Sequence, residues 1–447
     1  MPRFRNSVPV TICYWLFVVL CVAVSIVLLR QHLPRYLPFD WGNAHEGDAL
    51  ADWRAARLYA LDVNPYEPLG LEMIVAPMGH PPTTVFWYLP MVDFAKPLAA
   101  ELSSLVLWFL IVPHLYLCAK TLDWPAPMAL TALFTSLLFS TSWFFYHFTV
   151  IQFSEVIAFL LLLGWLLLRS GRDALAGIAI GLAATIKFFP GVMIGMLFLG
   201  RRWRALFTAC ATFLVIAGIM THAFGLKSWP EYFALQKPIA EAWYDSQQNS
   251  SLSGLLNQIR SPFCGGGIPN PIHSSTPMLA SVGAVILFGL AAWACRHHFK
   301  VAREIDGKRI DLPFALFTLL AVFSNPWVWE HYYVLAIQPL FVVTTQLARF
   351  ARLAYRRWSE MESSNLKFVL DATVTALGFL ALALVAHALS RNVWTPSWYI
   401  QAYRSTEVPL YHAVAHFELA LKVMPWVVPM ILGFGELRAR NSGQNWS

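Results

Sequence analysis

The chain's most chemically loaded stretch is His45-Glu46-Gly47-Asp48-Ala49-Leu50-Ala51-Asp52-Trp53. A carboxylate can take the proton of an attacking hydroxyl, which is general-base work, and Asp48 is the first candidate for it. Glu46 or Asp52 could share that work. If residues 50–60 are helical, Asp48 can equally be read as the cap of that helix. Arg54 and Arg57 follow and could pair with the carboxylates or hold a phosphate. Asn64-Pro65-Tyr66-Glu67-Pro68 reads as a rigid turn. Gly79-His80-Pro81-Pro82-Thr83 follows it, and the His80 imidazole could hydrogen-bond a phosphate or a sugar.

Further polar residues interrupt long apolar runs. Gln152 and Glu155 stand at the start of one such run, after Tyr146-His147-Phe148. A charge at Glu155 is costly in an apolar setting and calls for a partner, with Lys187 or His147 as the candidates. Lys187 closes Gly181-Leu182-Ala183-Ala184-Thr185-Ile186 and precedes Phe188-Phe189-Pro190. A lysine in such surroundings must snorkel or meet an anion. Tyr244-Asp245-Ser246-Gln247-Gln248-Asn249-Ser250-Ser251-Leu252 offers amides suited to sugar hydroxyls. Asn249 also fits an Asn-x-Ser glycosylation acceptor, relevant only in a eukaryotic lumen. Arg260 is an isolated cation further on. Ser324-Asn325-Pro326-Trp327-Val328-Trp329-Glu330-His331-Tyr332-Tyr333 joins two apolar runs. Interfacial anchoring accounts for its tryptophans, including Trp329, but less well for Glu330 and His331.

These residues are set in a very apolar chain. Of 447 residues, 57% are hydrophobic and only 13% charged, roughly half the charge of soluble domains. Many windows approach the ~20 apolar residues that cross ~30 Å of hydrocarbon. Backbone groups must be satisfied inside lipid, and the runs do not alternate as barrel strands do, so the expected class is an all-α polytopic membrane protein. The first run, Val10 to Leu28, lacks a small-x-small cleavage site and reads as a retained anchor. Six scattered cysteines show neither metal spacing nor a disulfide framework. Cytoplasmic loops account for the net charge of +7, which leaves nucleic-acid binding without support.

Basic clusters at 169–172, 201–204, 296–309 and 349–367 should face the cytoplasm. With the N-terminus inside, helices are expected near 10–28, 99–118, 127–144, 150–168, 172–187, 190–200, 204–221, 277–296, 311–323, 330–347, 367–389 and 418–434. That is about twelve crossings in one integral-membrane domain over 1–447. The short helices at 172–187 and 190–200 would be joined by a turn at Lys187–Pro190 near the outer face. An external loop at 29–98 would carry Asp48, with its 82–95 segment at the interface or dipping in. A second loop, 222–276, would be polar and flexible enough to cover the site. The external loops are poor in Lys and Arg but rich in Trp, Tyr, Asn, Gln, His and Pro.

In their order, these motifs resemble the GT-C polytopic glycosyltransferases, specifically the bacterial polyprenol-phosphate-mannose-dependent α-mannosyltransferases of glycosyltransferase family 87. The resemblance runs through Asp48, Asn64-Pro65-Tyr66, Pro81-Pro82, Gln152, Gly181 to Pro190, Arg201-Arg202-Trp203, Asn249 to Arg260, and Pro326 to His331, covering about 10–345. It implies a GT-C-like bundle with an extracytoplasmic site, a polyprenyl-monophosphate sugar as donor, often mannose, Asp48 as the catalytic aspartate and Lys187 as the helix-end lysine. Its aromatic-His segment falls on Trp329 and His331. The family's Gly-Gln-Val-Asn pattern is absent here. Val150-Ile151-Gln152-Phe153-Ser154-Glu155 stands in its place and leaves the donor sugar open.

The expected reaction is an inverting displacement at the outer face of the plasma (bacterial inner) membrane. Asp48 deprotonates an acceptor hydroxyl, and polyprenyl phosphate leaves with its charge stabilised by Lys187. Glu46, Asp52, Arg57, His80, Gln152, Glu155, Asn249, Arg260, Trp329, Glu330 and His331 are the expected substrate contacts. No cofactor is required; a divalent metal is neither required nor ruled out. The expected partners are the donor, membrane lipids and a glycolipid, polysaccharide or lipid-linked acceptor. Intramembrane Glu155 and Lys187 would also suit a transporter or flippase of a lipid-linked or anionic substrate. The concentration of polar residues on one face, without a midplane string of charges, favours the enzyme. A scaffold is the third reading, in which Asp48 would be dispensable.

Overall fold

A computed structural model describes residues 8–33, 48–67, 80–141, 144, 147, 151–244, 249, 251–260, 276–304, 307–326, 328 and 330–359. Among these residues the structure is helical, with no strand. The helices are α1 (Val8–His32), α2 (Asp48–Ala60), α3 (Pro82–Val85), α4 (Lys96–Thr121), α5 (Pro127–Ser140), α6 (Ser154–Arg169) and α7 (Asp173–Ile186). There follow α8 (Val192–Leu199), α9 (Trp203–Phe224), α10 (Ser228–Tyr244), α11 (Leu252–Arg260), α12 (Thr276–Glu304), α13 (Asp311–Phe323) and α14 (Ile337–Ser359).

Among the described residues, four stretches are long and apolar enough to cross a membrane: Tyr14–His32, Leu98–Thr121, Trp203–Phe224 and Thr276–Val301. Their outward faces carry large apolar side chains, such as Trp15 and Leu16 on α1, Phe207 and Leu214 on α9, and Val285 and Trp293 on α12. Such faces suit hydrocarbon rather than water, and the molecule is a membrane protein, helical and without strands among the described residues. Helices α5 and α7 have 14 residues each. At 1.5 Å per residue each spans only about 21 Å, short of ~30 Å of hydrocarbon. The expected helices near 367–389 and 418–434 lie outside the described residues.

The bundle is built around α13, every residue of which is buried. A helix apolar on all sides belongs at a centre. The tightest crossing is α7 on α9. A Cβ on Gly177 would lie 2.1 Å from the Ala205 carbonyl oxygen, and one on Gly181 would lie 2.6 Å from that of Ala209. Glycines four apart thus face alanines four apart, the small-residue contact that lets membrane helices approach closely.

Polar contacts fix the direction of the helices. At one end Arg169 of α6 donates to the Thr121 carbonyl at 2.9 Å and pairs with Asp311 at 3.0 Å. Trp165 donates to the same Asp311 at 2.9 Å, and Arg202 pairs with Asp173 at 3.3 Å. This end gathers the close of α4 and α6 and the start of α7, α9 and α13. The other ends of these helices meet α2, α10 and the segments around 80–91 and 326–336.

Several boundaries differ from the sequence expectation for local reasons. The helix expected over 150–168 starts only at Ser154, because Ile151 is held at φ 50°. A β-branched residue in the left-handed region breaks the helix and re-aims the chain. The stretch 330–347 begins as a 3-10 turn, Glu330–Ala336, and becomes α-helical at Ile337. Pro339 has no N–H to continue an α ladder backwards. The 82–95 segment is one α turn and a 3-10 turn, Phe86–Met91, with Val85 and Tyr88 buried in protein. The stretch 222–276, expected as a loop, contains helices α10 and α11.

Candidate functional site

The site end of the bundle is organised around Lys187. It is the C-cap of α7, with extended backbone at φ −145° and ψ 148°. The next residues turn through the 3-10 segment Phe189–Gly191, where Pro190 bars further α-helix, and α8 then runs back. This is the turn expected at Lys187–Pro190. Lys187 is buried, at 7% exposure. Its ammonium donates to Gln152 Oε1 at 3.0 Å and to the Tyr332 hydroxyl oxygen at 2.8 Å. It also lies 4.5 Å from the Tyr332 ring centroid.

Both of these partners are neutral, and no carboxylate pairs with Lys187 among the described residues. Glu155, one of the two partners expected for each other, turns away. It is bonded to His114 Nδ1 at 2.8 Å inside the α4–α6 contact, with both side chains 1% exposed. Glu155 therefore corrects the sequence expectation of Lys187 or His147 as its partner. The pKa of His147, fully buried behind the site, is pushed down to about 3, first by burial and then by the Lys187 charge. It is neutral at ordinary pH. An ammonium has three N–H donors, and the described residues occupy two.

The second half of the site is the contact between α2 and the 80–91 segment. Asp52, one turn into α2, bonds His80 Nδ1 at 2.7 Å. Tyr66 donates its hydroxyl to the His80 carbonyl at 3.0 Å, and Trp53 Nε1 donates to the Met91 carbonyl at 2.9 Å. The same segment is tied to the end of α7: Thr84 donates to the Ile186 carbonyl at 2.6 Å, and Trp87 Nε1 to Thr185 Oγ1 at 3.1 Å. Aromatic rings close the gap, with Tyr66 5.9 Å from Tyr232 and Tyr232 5.9 Å from Phe188. Burial, then the Asp52 charge, drives the Tyr66 hydroxyl well above its ordinary range. Tyr232 is raised by burial and then by Tyr332. Both phenols stay protonated and can donate hydrogen bonds.

A third group ties residues 249–254 to the 326–328 segment. Asn249 is buried, and its Oδ1 accepts from the Val328 N–H at 3.0 Å and the Ser251 N–H at 3.1 Å. Its Nδ2 donates to the Pro326 carbonyl at 3.1 Å. Gly254 is required beneath it, since a Cβ there would lie 2.3 Å from the Asn249 carbonyl oxygen. The Asn249 amide is thus spent on backbone that leads to Tyr332, and its burial is incompatible with glycosylation.

The remaining expected residues are distributed as follows. Asp48 is the first residue of α2, and Arg260 the last of α11, with the side chains of both outside the described residues. Glu330 and His331 open the 3-10 turn that holds Tyr332, again without described side chains. Glu46 and Trp329 lie outside the described residues. Arg57 is exposed and lies 5.0 Å above the Trp53 ring. Sequence reading overlooked Tyr332, Tyr66 and His114. Tyr332 stood in a run where Trp329, Glu330 and His331 drew the reading, and Tyr66 in one that read as a turn.

Buried Lys187, Gln152 and Tyr332 make a cationic corner at one end of the bundle. Searches of curated proteins and of solved structures return no match. Residues 79–322, more than half of the chain, match the family model described as Glycosyltransferase family 87. That span includes His80, Gln152, Lys187 and Asn249, whereas Asp48 and His331 fall outside it. With Lys187 and Gln152 inside the matched span, the chain belongs to glycosyltransferase family 87, as its motifs implied.

Proposed function

We propose that this glycosyltransferase transfers a sugar, mannose by family resemblance, from a polyprenyl monophosphate to a glycolipid or glycan acceptor at the extracytoplasmic face. The observation that carries this reading is Lys187: a buried ammonium whose described partners are Gln152 and Tyr332, both neutral. Leaving such a charge uncompensated is expensive, and a lipid-borne phosphate supplies the missing anion. In the reaction Asp48 takes the acceptor hydroxyl proton. The acceptor oxygen bonds the anomeric carbon as the carbon–oxygen bond to phosphate breaks on the opposite face, inverting that carbon. The phosphate leaves with the bonding electron pair, and Lys187 stabilises the charge that develops there. This reading does not call on a metal.

The test is sugar transfer in proteoliposomes, wild type against Asp48→Asn. Polyprenyl-phosphate-mannose and a panel of other lipid-phosphate sugars serve as donors, with host lipids and glycans as acceptors. Transfer by wild type and its loss in a folded Asp48→Asn protein is the expected result. Equal transfer by both would remove Asp48 as the base. No transfer from any donor, combined with donor movement across the bilayer, would replace the enzyme by a transporter.

A further inference from the structure

Asp52 and His80 enter the sequence reading as substrate contacts, yet their geometry suits a different task. Asp52 is 2% exposed and its Oδ2 is bonded to His80 Nδ1 at 2.7 Å. It lies one helical turn after Asp48, the first residue of α2. His80 opens the segment whose Thr84 and Trp87 are bonded to Ile186 and Thr185, the two residues before Lys187. A continuous set of short contacts therefore runs from the start of α2, through Asp52 and His80, to the end of α7. Tyr66 braces the link by donating to the His80 carbonyl, and Trp53 by donating to Met91.

We propose that the Asp52–His80 pair is a positioning strut that sets the separation between the start of α2, which bears Asp48, and the end of α7, which bears Lys187. The inference rests on the roles of Asp48 and Lys187 given above. In-line displacement needs base and leaving-group anchor on opposite sides of one carbon, and a misplacement of 1 Å costs about 100-fold in rate. The imidazole supplies a rigid, planar N–H at Nδ1. Asn places an N–H at the same position without a ring, so the two side chains separate mechanical from chemical use of the histidine.

The experiment compares His80→Ala and His80→Asn in detergent-solubilised full-length protein, by transfer kinetics and by amide hydrogen exchange. His80→Ala is expected to lower kcat by about 10–100-fold with donor KM nearly unchanged, and to speed exchange over 48–60 and 80–91. His80→Asn is expected to recover most of both. Unchanged exchange in His80→Ala would overturn the strut whether or not any transfer is detected. A His80→Asn protein with restored protection but kcat as low as His80→Ala would also overturn it, making the imidazole a chemical participant. A rise in donor KM with kcat unchanged would make His80 a substrate contact instead. Should His80→Ala fail to fold, Asp52→Ala against Asp52→Asn carries the same comparison. Full activity in Asp48→Asn would end the general-base reading, while the exchange data would still judge the strut.

Discussion

At the scale of single residues, Lys187 separates a structural from a functional charge. Breaking a buried ion pair leaves one ion stranded and costs roughly 3–5 kcal/mol. The described partners of Lys187 are neutral, so among the described residues Lys187→Met strands no charge and loses two hydrogen bonds. Its thermal unfolding without donor should shift by less than about 2 kcal/mol, while transfer should fall by about 100–1,000-fold. A loss of stability on the scale of a broken ion pair would mean that Lys187 has an acidic partner in the protein. His147 gives a linked prediction. Its folded pKa of about 3 lies below its ordinary 6.5. Between those values the unfolded chain holds a proton that the folded chain does not, so stability falls as pH is lowered through that window. Removing the Lys187 charge relieves one of the two causes, so Lys187→Met should be less acid-sensitive than wild type in melts across pH 4 to 7. Equal acid sensitivity would dissociate the two residues. Lys187 was legible in the sequence because an apolar flank around a cation is a local signal. Its partners Gln152 and Tyr332 lie 35 and 145 residues away, and no local pattern couples them.

At the scale of elements, the position of Lys187 depends on how closely α7 meets α9. Gly177→Ala would place a methyl 2.1 Å from the Ala205 carbonyl oxygen, which is backbone and cannot swing aside. The helices must separate, at a cost of about 1–3 kcal/mol, and Lys187 moves with α7. Gly218 on α9 is the control, since a Cβ there meets nothing within 4 Å. Gly218→Ala should stabilise by about 0.5–1 kcal/mol through helix propensity alone. Thermal unfolding of the two variants should therefore move in opposite directions, and transfer should fall only in Gly177→Ala. If Gly177→Ala is as mild as Gly218→Ala, the close crossing is not what holds α7. The α7–turn–α8 hairpin was readable because Lys187 to Pro190 combine a charge, aromatics and proline at one boundary. Helices α10 and α11 were not, because Pro230 and Pro238 and the Ser/Gln/Asn stretch mimic a loop. Pro230 is only the third residue of α10, where a missing N–H breaks no intrahelical bond.

At the scale of the whole molecule, polarity is sorted along the bundle axis, and orientation follows from it. Arg169, Arg172, Arg201, Arg202 and Arg204 collect where α6 and α8 end and α7 and α9 begin. Asp52, Tyr66, His80, Gln152, Lys187, Asn249 and Tyr332 collect at the opposite end. Cationic loops are retained in the cytoplasm, so the Lys187 corner should open to the periplasm or cell exterior, where a polyprenyl-phosphate sugar would present its headgroup. Single cysteines at exposed positions test this directly. The natural thiols must first be removed, since Cys210 is only half-buried. A cysteine at exposed Arg201 should be labelled by a membrane-impermeant maleimide only after the cells are opened, and one at exposed Glu67 in intact spheroplasts. The reverse pattern would put the corner in the cytoplasm, where nucleotide-linked sugars are the available donors. The lipid-phosphate reading would then fail even if Lys187 proved essential. Labelling of both positions from one side would instead show that the ends of α2 and α8 share a face, against the axial sorting of charge.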